Sequence, residues 1–92
     1  MKVVKLRKNW NLYKKGFTHA FRFESWREEN GHVIKALNKI YNNRQWRGKY
    51  YAWDIADGQW HVDATGRWVC PYYIGVRSEA VITQVLLIMQ QD

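Results

Sequence analysis

The chain contains one cysteine, Cys70, and one proline, Pro71. A single thiol excludes an internal disulfide, so the fold must rest on packing alone, and a reducing cytoplasm is its natural setting. No apolar run approaches the roughly 20 residues that a membrane-crossing helix needs, since the longest apolar stretch, near the C-terminus, is interrupted by Thr83 and Gln84. Val3, Val4 and Leu6 are split by Lys5 and Arg7, which leaves no apolar core for a secretory leader. A soluble protein with no membrane partner is therefore expected. Acids are scarce in the first half. Residues 1–49 hold thirteen Lys and Arg against three acids, whereas residues 50–92 hold two against five. Motifs for chemistry are also missing: no phosphate-cradling glycine loop, nucleophile elbow or paired Cys/His zinc spacing is present. No cofactor is expected, and the chain does not read as an enzyme.

Aromatic rings are abundant, with six Trp, six Tyr and three Phe in 92 residues. That length suits one domain, 1–92, and 47% apolar residues can furnish a core. If both halves share that domain, the charge split gives one side a positive field that attracts phosphates.

Residues 1–16 carry six cations and no acid, and read as a basic edge strand or a partly ordered arm. From Phe17 to Trp26 the residues alternate, with Phe17, His19, Phe21 and Phe23 on one parity, as in a strand. After Asn30-Gly31, the residues Val33, Ile34, Leu37, Ile40 and Tyr41 recur at helical spacing. Ser25 and Glu28 have capping-box spacing, but Gly31 favours a start near residue 30. Residues 49–55 read as a strand, Asp57-Gly58 as a hairpin turn, and residues 60–63 as a short strand. After Thr65-Gly66, residues 67–76 read as a strand that Pro71 should confine to an edge or a bulge. Ser78 and Glu79 then open a helix. Residues 85–89 suit its continuation or a buried strand equally. The expected class is α+β, with a single antiparallel sheet of four to five strands and one or two helices on one face. A final strand at 85–89 would complete the ferredoxin-like order βαββαβ.

The stretch from Asn42 to Trp53 is the densest mixture of rings and cations. Trp46, Tyr50, Tyr51 and Trp53 alternate there with Arg44, Arg47 and Lys49. Single-stranded nucleic acid is held by stacking bases on rings while cations follow the backbone. One face of the strand must enter the core, which assigns Tyr51 and Trp53 to packing. The expected binding residues are therefore Arg44, Trp46, Arg47, Lys49 and Tyr50, joined by Lys5, Arg7, Lys8, Lys14 and Lys15 of the basic N-terminus. Trp10 and Tyr13 beside Lys14 and Lys15 repeat the theme. The segment departs from the RNA-recognition-motif strand signature at Lys49 and Tyr50.

Two further readings stand beside nucleic-acid binding. His61 and Asp63, two apart on an expected strand, share one face. With Asp57 or Asp54 they offer imidazole and oxygen ligands to a divalent metal, as a nuclease needs, although the spacing matches no established metal signature. Tyr72-Tyr73-Ile74-Gly75-Val76-Arg77-Ser78-Glu79-Ala80, followed by an apolar run, resembles the closing module of small tailed-bacteriophage proteins, an aromatic strand leading through an acid-capped helix to an apolar strand. The resemblance implies a phage product in the host cytoplasm that binds and disables a host enzyme or defence complex. Its partner would present an acidic protein surface, and surplus rings would suit such a contact or a homodimer.

Overall fold

A computed structural model describes residues 1–24, 30–41, 50–55 and 59–91. Its elements are β1 (Lys2–Lys5), α1 (Asn11–Lys14), β2 (His19–Phe23), α2 (Gly31–Ile40) and β3 (Tyr51–Ile55), followed by β4 (His61–Val62), β5 (Trp68–Val69), β6 (Tyr72–Val76) and α3 (Glu79–Gln91). The protein is α+β. Its main sheet is antiparallel in the order β1-β2-β6-β3, and β4 and β5 form a separate two-stranded hairpin. Among the described residues, no helix is long and apolar enough to cross a membrane.

Strand register explains how the sheet is covered. Val3, Phe21, Ile74 and Trp53 align across the four strands, as do Lys5, His19, Val76 and Tyr51. Because side chains alternate, these rows share one face. Phe21, Phe23, Ile74, Val76 and Tyr51 there meet Val33, Ala36 and Leu37 of α2 and Ile82 and Val85 of α3, forming the larger core. The helical period read from Val33 and Leu37 is realised, and α2 begins at Gly31 behind Asn30. The Asn30 side chain does not cap the helix; its amide donates instead to the Tyr72 hydroxyl at 2.8 Å. Ser25, Glu28, Asp57 and Gly58, on which the expected cap and hairpin turn rested, lie outside the described residues.

The opposite face carries the aligned row Val4, Ala20, Gly75 and Ala52, three of them with small side chains or none. Into that shallow trough fit Leu6, Leu12 and Phe17, all buried, with Cys70 and Tyr73 completing a second core. The fit at its centre is tight. A methyl on Gly75 would stand 3.1 Å from Leu12 Cδ1 and 3.3 Å from Phe17 Cβ. Helical structure thus lies on both faces of the sheet, because α1 is folded down onto the face opposite α2 and α3.

Two other features differ from the sequence-based expectation. Residues 85–89 are helical, so the ferredoxin-like order does not arise and the resemblance module's closing strand is absent here. Ile82, Val85, Leu86 and Met89 place one helical face against the core. Pro71 does not confine its segment to an edge: β6 is a central strand. The proline stands immediately before it and divides β5 from β6, where its missing N–H costs no ladder bond within β6.

Candidate nucleic-acid interface

The basic N-terminus is ordered. β1 forms the expected edge strand, pairing with β2 from Lys2↔Arg22 to Lys5↔His19. The chain then leaves the sheet and returns, closed by Leu6 N–H donating to the Thr18 carbonyl at 2.9 Å. Within this closed excursion, Trp10 N–H bonds the Arg7 carbonyl, and Phe17 N–H bonds the Leu12 carbonyl. Gly16 makes the exit turn at φ +98°, a conformation that side-chain-bearing residues rarely take. Arg77 locks that turn from the far side of the sequence. Its guanidinium donates to the Lys15 carbonyl at 2.9 Å and lies 4.2 Å from the Phe17 ring centroid.

This loop presents Arg7, Lys8, Lys14 and Lys15, with Lys5 at its base, and all five are exposed. No described acid forms an ion pair with any of them. Arg7 lies 6.0 Å from the Trp10 ring, a loose cation–π approach. Buried apolar anchors therefore hold a loop whose outward cations have no acidic partner among the described residues. Such a surface concentrates anions, and its anchored backbone lowers the ordering cost on binding.

Of the expected binding residues after α2, Arg44, Trp46, Arg47 and Lys49 lie outside the described residues. Tyr50 is described, and it is not a free stacking platform. Its ring lies on Tyr41, with centroids 4.3 Å apart and planes at 11°, and it packs half-buried against the larger core. Burial raises the Tyr41 phenol pKa above its ordinary value; neighbouring Tyr50 adds to the rise, and Arg77 opposes it. Tyr51 is buried as expected, whereas Trp53 stacks on Tyr72 at 5.4 Å yet remains 37% exposed.

Asp63 has a structural task. Its Oδ1 accepts from the backbone N–H groups of Thr65 and Arg67 and from the Thr65 hydroxyl, closing the turn between β4 and β5. The Thr65 hydroxyl bond and then the Arg67 amide hold its carboxyl below the ordinary aspartate value. His61 is exposed, with Nδ1 3.2 Å from the Gln59 carbonyl, and Asp57 lies outside the described residues. Among the described residues no three metal-binding side chains gather.

Two features escaped the sequence reading. Beside α1, a cleft of about 230 Å³ is lined by Asn9, Trp10, Asn11, Leu12, Asp54, Ile55, Gln59 and Tyr73. Trp10 and Tyr73 meet there with ring centroids 5.3 Å apart. The pairing of a residue in the basic arm with one in the last strand has no local sequence signal. The second feature is apolar: Trp53, Ile55, Trp60, Val62 and Trp68 are all exposed, Trp68 to 67%.

Fold and surface together define a class, a small α+β domain with an anchored cationic loop. No known protein family matches the chain, and searches of curated proteins and of solved structures likewise return no match.

Proposed function

We propose that the protein binds single-stranded nucleic acid, with Arg7, Lys8, Lys14 and Lys15 of the anchored loop, and Lys5 of the adjoining edge strand, following the phosphate backbone. The observation that carries this reading is that four exposed cations stand on one anchored loop, next in sequence to exposed Lys5 at the end of β1, without an acidic partner among the described residues. A merely solubilising surface intersperses both signs of charge, and lysine-rich surfaces left unneutralised attract polyanions. Arg44, Trp46, Arg47 and Lys49 belong to the proposed surface on sequence grounds.

A second reading is supported by the exposed Trp53, Ile55, Trp60, Val62 and Trp68, since large rings on a surface are what protein-binding hot spots use. In this reading the chain docks on another protein, in keeping with the phage-like Tyr72-to-Ala80 module and its implied host target.

Affinity capture from bacterial lysate, with and without nuclease, separates the two. Nucleic acid recovered with the protein, and lost when Lys14 and Lys15 are both changed to Gln, supports the first. A stoichiometric protein partner that survives nuclease treatment, with no nucleic acid recovered from untreated lysate, supports the second and removes the first.

A further inference from the structure

The cleft beside α1 has a composition that a packing defect would not have. Half-buried Trp10, with buried Tyr73 behind it, supplies an aromatic wall, while Asn9, Asn11, Gln59 and Asp54 supply amide and carboxylate groups. Asp54 lies in a strongly basic protein, yet no ion pair among the described residues involves it. Its Oδ1 accepts the Ile55 N–H at 2.9 Å, which fixes the carboxylate. Gln59 accepts from Arg22 Nη2 through Oε1 at 3.2 Å, which leaves its amide N–H groups as donors. At about 230 Å³ the cleft is smaller than the roughly 300–1,000 Å³ sites that enclose drug-sized ligands, so it suits one ring system.

Register places a phosphate track beside it. Asp54, Tyr73, Arg22 and Lys2 align across β3, β6, β2 and β1 on the same face as the cationic loop. Asp54 and Tyr73 line the cleft, and the two cations continue the row beyond it. Arg22 Nε is buried without a hydrogen-bond partner, while its Nη2 bonds Gln59 and lies 3.8 Å from Glu24 Oε2. A base seated in the cleft against half-buried Trp10 and Asp54 would have Arg22 and Lys2 farther along the same face of the sheet.

We infer that this cleft takes one unpaired guanine of a bound strand. Guanine alone among the common bases offers two adjacent donors, N1–H and N2–H, to a carboxylate, and its O6 suits the amide donors of Asn or Gln. Uracil and thymine present one N–H between two carbonyls, which a carboxylate repels. Adenine and cytosine offer one amino group beside an acceptor nitrogen. The inference rests on the proposed single-strand binding and adds to it a base preference housed outside the cationic loop.

The test compares three labelled oligonucleotides by fluorescence anisotropy: oligo(dT), and the same strand with one central guanine or one central hypoxanthine. A bidentate base contact discriminates by about tenfold or more. The guanine strand should therefore bind about tenfold tighter than oligo(dT), with hypoxanthine, lacking the 2-amino group, between them. Asp54→Asn retains an Oδ1 acceptor for Ile55, and should bring the guanine preference to within about twofold while oligo(dT) affinity holds or rises, as loss of a negative charge allows. Equal binding of all three strands by the unaltered protein overturns the guanine site and leaves backbone binding standing. No binding of any strand at low salt overturns both. A guanine preference that persists in a folded Asp54→Asn variant removes the carboxylate contact on which the inference depends.

Discussion

Replacing Leu12 with alanine tests whether the cationic loop is a structural part of the domain. Leu12 is 2% exposed and packs with Leu6, Phe17, Ala20, Ala52, Cys70 and Tyr73. Beneath it the sheet offers Ala20, Gly75 and Ala52, whose side chains are too short to move into a vacated space. A cavity left over such a floor collapses little, which places the expected loss near 3–5 kcal/mol, the upper part of the range for Leu→Ala. For a domain of this size 1 kcal/mol corresponds to about 5 °C, so the melting temperature should fall by roughly 15–25 °C. Leu87→Ala is the matched control, because Leu87 is 53% exposed on α3 and its truncation should cost no more than about 0.5 kcal/mol. Thermal and urea unfolding followed by circular dichroism measure both. Equal, small losses for the two variants would mean that the loop merely rests on the sheet, and the argument for a rigid basic platform would fail.

Further outcomes follow from the same geometry. Gly16→Ala should destabilise by about 1–3 kcal/mol, since φ is +98° and the new methyl would stand 2.5 Å from Arg77 Nη1; urea unfolding without loss would show that Arg77 does not lock the turn. Asp63 should titrate below the ordinary aspartate value of about 3.9, as seen by carboxyl carbon shifts in NMR. Because its folded pKa is depressed, its contribution to stability is present above the unfolded value and is lost as pH falls through the folded one. Titration at or above the ordinary value would contradict the hydrogen bonding drawn for that turn.

Much of the architecture was legible locally. The alternation of Phe21 and Phe23, the helical recurrence of Val33 and Leu37, and the Ser78-Glu79 helix start each depend on neighbours in sequence. The second core was not legible, because Leu6, Leu12 and Phe17 look like scattered apolar residues in a basic segment. Their partners, Ala20, Gly75 and Ala52, form a trough only once the strand register is known. Pro71 misled for a related reason: its effect depends on whether it lies within a strand or just before one. Tyr50 shows the limit of counting rings, since its neighbour Tyr41 closes the helix that precedes it and occupies its face. The cleft of Trp10, Asp54 and Tyr73 draws on three separate segments, so no spacing rule could have found it.

The most direct test of the central claim is the salt dependence of binding to a single-stranded oligonucleotide. Each phosphate neutralised on a single strand contributes about −0.7 to the slope of log affinity against log salt. If Lys5, Arg7, Lys8, Lys14 and Lys15 all engage the backbone, they contribute about −3.5 to the slope, and changing Lys14 and Lys15 to Gln should make it shallower by about 1.4. Absence of binding at low salt, or a slope that the double substitution leaves unchanged, would contradict the assignment of the loop as the backbone-binding surface.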